Sequence, residues 1–129
     1  MSTSLSPEHI ELLDMPLYAS LGTVRPDNTV QVNPMWYERD GDTIRFTHTN
    51  KRAKYRSLQK NPSMSLMVVP PDNPLTYLEL RGHLSEVIAD PKGEFYVRLS
   101  QRYGKGEQPP ADSPDRVILV MTIDKVLAH

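Results

Sequence analysis

The stretch Val30-Gln31-Val32-Asn33-Pro34-Met35-Trp36-Tyr37-Glu38 sets Val30, Val32, Pro34 and Trp36 in alternation with Gln31, Asn33, Met35 and Tyr37. A period of two is the pattern of a β-strand. Upstream, residues 17–24 read as another strand, joined to it by the turn Arg25-Pro26-Asp27-Asn28. Downstream, Asp40-Gly41 makes a tight hairpin into a third strand over residues 44–48, since Asp-Gly is a strong two-residue turn signal. Three antiparallel strands in succession place the chain in the mainly β class.

These strands run straight into Thr47-His48-Thr49-Asn50-Lys51-Arg52-Ala53-Lys54-Tyr55-Arg56-Ser57-Leu58-Gln59-Lys60-Asn61-Pro62. Thr49 or Asn50 is the expected N-cap of a short helix that stops at Asn61-Pro62. The segment holds five of the fifteen Lys and Arg residues, and no Asp or Glu falls between Asp42 and Asp72, in a chain of net charge -1. Lys51, Arg52 and Lys54 would then lie in the first turn, where exposed cations oppose the helix dipole at about 0.3–1 kcal/mol each. A bound anion resolves the imbalance. Backbone N–H groups at a helix start already attract one, and flanking Arg and Lys complete the site, so a phosphate is the expected occupant. The alternative is a solvated face made of Arg52, Arg56 and Lys60. Against it stands the lack of acidic partners four residues away.

Ser6-Pro7-Glu8 starts a short helix, with a capping serine and proline at its first position, and Pro16 ends it; it is expected over one end of the barrel or sheet. After the basic helix come a strand over residues 63–69 and a proline-rich loop over 70–74. A long strand from 75 to about 87 follows, with Gly82 marking a bulge or a close approach. Asp90-Pro91 opens a further helix, with Phe95, Leu99 and Tyr103 on its apolar side. Residues 104–114 are loop, and 116–126 form the last strand. Six strands with short helices between them give a small closed or partly closed antiparallel barrel, the basic helix at its mouth.

At 129 residues the chain has the size of one domain, over 1–129, without repeat or linker. No run reaches the roughly 18 apolar residues of a membrane span. The N-terminus lacks the marks of a signal peptide, so a cytoplasmic, membrane-free protein is expected. With no cysteine, thiol chemistry and thiolate metal sites are excluded. The four histidines, His9, His48, His83 and His129, form no ligand-spaced set, so no metal is expected. A pI near 6.4 argues against a nucleic-acid partner and for a small one.

Taken in order, Leu21-Gly22-Thr23-Val24, Val32-Asn33-Pro34-Met35-Trp36-Tyr37, Asp40-Gly41-Asp42, Arg52-Ala53-Lys54, Leu58, Asn61-Pro62 and Leu80-Arg81-Gly82 resemble the split-barrel flavin and deazaflavin proteins related to pyridoxamine 5'-phosphate oxidase. Among these the chain is most similar to the single-domain branch that uses coenzyme F420. The resemblance implies a six-stranded antiparallel split β-barrel, the FMN-binding split barrel, with short flanking helices. It implies a homodimer with cofactor sites at the subunit interface. The cofactor phosphate would sit against Arg52 and Lys54, with Ala53 between them, and Arg56 and Lys60 would be available to the coenzyme's anionic tail. The ring would lie along Asn33, Pro34, Met35 and Trp36 and against Thr47, His48 and Thr49. True pyridoxamine-phosphate oxidases hold their substrate's phosphate with a longer C-terminal region, whereas this chain ends at His129, which argues against vitamin B6 chemistry.

A flavin or deazaflavin carries the hydride itself, so the protein supplies orientation and exclusion of water. The function implied is an F420-dependent reductase acting on a small conjugated organic substrate. The alternatives are an FMN-dependent oxidoreductase on the same fold and a non-catalytic carrier of either cofactor. For the proton that follows a hydride, the candidates are Tyr37, His48, Tyr77 and solvent. Trp36, the single tryptophan, suits either ring stacking or core packing. Glu79, Arg81 and His83 share a strand face, where surface ion pairing is the expectation.

Overall fold

The computed structural model describes residues 5–128; His129 and the first residues of the N-terminal stretch, and the readings made on them, lie outside the described residues. Helix α1 (Pro7–Leu13) is followed by strands β1 (Ala19–Val24), β2 (Val30–Met35), β3 (Glu38–Asp40) and β4 (Thr43–Thr49). Then come α2 (Ala53–Lys60), β5 (Ser63–Val68), β6 (Leu78–Ala89), α3 (Glu94–Arg102) and β7 (Arg116–Ala128). The strands make one seven-stranded antiparallel sheet in the order β2-β1-β5-β6-β7-β4-β3. The mainly β split-barrel reading holds, but with seven strands rather than six.

The extra strand comes from the opening stretch, which is two strands instead of one. Val30–Met35 pairs with β1 as far as Ala19↔Met35, whereas Glu38–Asp40 pairs with β4. β2 and β3 are thus the two free edges of the sheet, yet only Trp36 and Tyr37 separate them in the chain. Three virtual bonds of 3.8 Å span at most about 11 Å. The sheet must therefore curl until its edges meet, held by the chain and not by a ladder, which leaves the barrel split at this seam. The edge position also decides which side of β2 is covered. Val30 and Val32 are 62% and 64% exposed, while Gln31, Asn33 and Met35 are half-buried and face inward.

Inside the curl, Leu21, Ile44, Phe46, Leu80, Leu119 and Ile123 are fully buried, each contributing about 1.5–3 kcal/mol by leaving water. Gly82 is both a bulge and a close approach. The β6–β7 register slips between Arg81 and Gly82, and a Cβ at Gly82 would stand 1.9 Å from the Thr122 carbonyl oxygen. The predicted ion pairing on β6 is present as Arg81–Glu79 at 2.9 Å, and His83 pairs with Asp124 at 2.8 Å.

Two helix starts differ from expectation. α2 begins at Ala53 with Arg52 as an extended N-cap that offers no side-chain bond, because residues through Thr49 stay in the β4–β7 ladder and the Asn50 N–H is taken by the Asp115 carbonyl at 3.1 Å. Lys51 and Arg52 therefore precede the first turn and Lys54 lies within it. α3 begins at Glu94 after Gly93, which has φ +68°. Asp90 still caps it from a distance, its carboxylate accepting from the Phe95 N–H at 3.1 Å and the Tyr96 N–H at 3.4 Å.

Candidate cofactor cleft at the barrel seam

A cleft of about 550 Å³ opens beside the seam, lined by Tyr18, Gln31, Asn33, Pro34, Met35, Trp36, Thr47, His48, Arg52, Ala53, Lys54 and Arg116. β2 supplies one wall through its inward Gln31, Asn33 and Met35, with Pro34 beside them. The end of β4 supplies the floor and the start of α2 the opposite wall. Asn33, Pro34, Met35, Trp36, Thr47, His48, Arg52, Ala53 and Lys54, all expected from the sequence, come together here.

Thr49 and Arg56 do not join them. Thr49 is buried, and Arg56 is exposed on the outer side of α2 with Nη1 donating to the Lys51 carbonyl at 3.0 Å. Two proton-donor candidates also fall elsewhere. Tyr37 is fully buried, and its hydroxyl donates to the Leu13 carbonyl at 2.8 Å; burial raises its pKa. Tyr77 lines two other clefts and not this one.

Lys54 is the unusual residue. Its side chain is 4% exposed, Nζ donates to Asn33 Oδ1 and lies 3.5 Å from Met35 Sδ. Burial, with the neighbouring Arg52 charge, lowers its pKa to about 8. Among the described residues neither Lys54 nor Arg52 pairs with a carboxylate. A buried cation without an anion is costly. A ligand that brings the anion removes that cost.

His48, 5% exposed, has Nε2 buried without a partner. Burial and the Lys54, Arg52 and Arg116 charges lower its pKa to about 4, so near neutrality it is an uncharged imidazole. Arg116 was not foreseen. It opens β7 opposite Thr49, donates from Nε to Asp112 Oδ1 at 3.1 Å and from Nη1 to Thr47 Oγ1 at 3.4 Å, and its guanidinium lies 4.7 Å over the Tyr96 ring. Tyr18 and Gln31, likewise unforeseen, complete the lining.

This donor set suits one kind of guest. Two cations without carboxylates, an amide and a neutral imidazole fit an anionic arm. Trp36, Tyr18, Pro34 and Met35 offer the apolar surface that a planar ring needs. Among the described residues no group of three or more His, Asp or Glu is placed to hold a metal ion, and no helix is long and apolar enough to cross a membrane.

The fold is that of a split-barrel protein, and the lining of the cleft at its seam suits a planar anionic guest. The chain belongs to the pyridoxamine 5'-phosphate oxidase family, which matches residues 5–129. It is similar to a solved F420 reductase, with 47% identity over 95% of this chain and 98% of that one, at a TM-score of 0.91. A conserved hypothetical protein from Mycobacterium tuberculosis superposes at a TM-score of 0.77 with 18% identity, covering 98% of this chain and 85% of that one. General stress protein 26 from Bacillus anthracis str. Sterne does so at 0.71 with 18% identity, over 92% and 88%. The last two share the fold. No curated protein matches the chain.

Proposed function

We propose that this protein is an F420-dependent oxidoreductase, a reductase that passes a hydride from the deazaflavin to a small conjugated organic substrate. The observation that carries the reading is the buried Lys54 beside Arg52, held by the Asn33 amide and, among the described residues, paired with no carboxylate, in a chain 47% identical to an F420 reductase. When bound, the deazaflavin supplies the hydride. Arg52 and Lys54 grip the phosphate, Asn33 holds Lys54 in place and offers its amide to the ring's polar edge, and Trp36, Pro34 and Met35 line the ring. His48, neutral and unpaired at Nε2, would be available to hydrogen-bond the ring and is a poor acid near neutrality. Tyr37 and Tyr77 line no part of this cleft, which leaves solvent among the proton donors expected from the sequence.

The family match favours FMN as the second reading, since the same cationic pair would take its phosphate. The protein works as a homodimer in the cytoplasm, a second copy covering the exposed Val30 and Val32 on the outer side of β2.

Fluorescence titration of the purified protein with F420 and with FMN tests this. F420 should bind in the micromolar range or tighter, and Arg52→Ala with Lys54→Ala should weaken it by about a hundredfold or more, two charge-assisted bonds being lost, while the melting temperature stays within a few degrees. Tighter binding of FMN selects the second reading. Binding of neither, or parallel losses of affinity and melting temperature, overturns both. Turnover of reduced F420 with conjugated acceptors separates an enzyme from a carrier.

A further inference from the structure

α3 and its C-cap residue Tyr103 contribute nothing to the cleft lining, yet they pack against two residues that do, Trp36 and Arg116. Trp36 stacks on Tyr103, ring centroids 5.4 Å and planes 10° apart, and Tyr96 meets the same indole at 5.9 Å. Tyr96 also lies under the Arg116 guanidinium at 4.7 Å. Neither tyrosine lines the cleft.

Tyr103 is itself fixed. Its hydroxyl donates to the Leu17 carbonyl at 2.8 Å and accepts from the Tyr37 N–H at 3.2 Å. Beside it, Arg102 donates to the carbonyls of Tyr37, Asp14 and Leu13 at 3.1 Å and of Met15 at 2.8 Å. One helix end thereby ties together the exit of α1, the entry to β1 and the two-residue link between β2 and β3. Trp36 sits in that link, outside the ladders of both flanking strands, so side-chain contacts must set its place.

We propose that Tyr103 and Tyr96 are positioning residues, which hold the Trp36 ring and the Arg116 guanidinium in the arrangement that receives a planar anionic ligand. Only the identity of that ligand rests on the function proposed above. A wall fixed in advance spares the ligand the entropy of ordering it.

Because Trp36 is the only tryptophan, its emission reports this ring without a label. Acrylamide quenching of the free protein, followed by titration with F420 and FMN, is compared for the wild type, Tyr103→Leu, Tyr103→Phe and Tyr96→Leu. Tyr103→Leu should leave Trp36 more open to acrylamide and weaken binding of the coenzyme that the wild type takes by about three- to tenfold, the worth of one aromatic stack. Tyr103→Phe keeps the stack and should restore most of both. Tyr96→Leu should act in the same direction, and it carries the test alone where Tyr103→Leu does not fold.

Unchanged quenching in the leucine variants overturns the proposal, as does greater quenching with unchanged coenzyme affinity, since a merely structural role would lower the melting temperature alone. The quenching arm needs no coenzyme. It therefore decides whether α3 sets Trp36 even if neither coenzyme binds the wild type, a result that would count against the functional reading.

Discussion

Lys54 connects the chemistry of one residue to a measurable pH dependence. In the free protein its pKa lies at about 8 through burial and the nearby Arg52; an anion at Nζ would raise it again. Ligand binding above pH 8 then takes up a proton, so affinity for FMN or F420 should fall as pH rises past about 8, by up to tenfold per unit. Lys54→Arg, whose guanidinium stays charged, should flatten the profile. A profile equally flat in the wild type would sink the assignment. His48 supplies a second pH signature, in stability. Its pKa in the folded protein is about 4 against 6.5 for the free side chain, so between these values the unfolded chain binds more protons and stability falls with falling pH. His48→Gln should lose less stability from pH 6.5 to 4 than the wild type, as read by denaturant midpoints. The meeting of these residues in one cleft was unequally legible in the sequence. Arg52 and Lys54 stood out because the charge imbalance is local, and local imbalances can be read along a chain. Arg116 did not, because only the pairing of β4 with β7 brings it opposite Thr49, and no periodicity records that pairing.

At the scale of elements, legibility follows whether a signal is carried by one residue or by a choice of partner. The Gly82 bulge was legible, since a glycine inside a strand signals a bulge or a near neighbour. Gly82→Ala should destabilise by about 1–3 kcal/mol, as overpacking does, because its Cβ would press on the Thr122 carbonyl at 1.9 Å; a denaturant midpoint within error of the wild type would refute that account. The break at Trp36-Tyr37 was hidden, since the alternation of residues runs on through it while the ladder changes from β1 to β4. α2 starts late for a related reason. Thr49 and Asn50 have good capping side chains, but sheet pairing and the Asp115 carbonyl hold their backbone first. Tertiary contacts thereby override the local preference, and the helix is left with a cationic, uncapped start. That start faces the cleft, so the cost of poor capping and the proposed capacity to bind an anion share one cause.

For the whole molecule, the seam is the weak point of the design and, in the proposed function, the place where it is put to use. A sheet that closed by hydrogen bonds would have no free edge and no gap in which a planar guest could lie. This one leaves β2 uncovered, with Val30 and Val32 more than 60% exposed on a strand whose inward side lines the cleft. An exposed apolar edge is an aggregation hazard unless something covers it. A second copy does so in the proposed dimer and would close the cleft at the same time. Val30→Lys with Val32→Lys leaves the buried core untouched, so it should keep the fold by circular dichroism. It should also convert a species of about twice 14.7 kDa in sedimentation to one of 14.7 kDa, and weaken F420 or FMN binding by about tenfold or more as the half-site loses its cover. A wild type that sediments as a monomer at micromolar concentration and still binds coenzyme tightly would mean that one chain is enough. The valines would then need a different explanation.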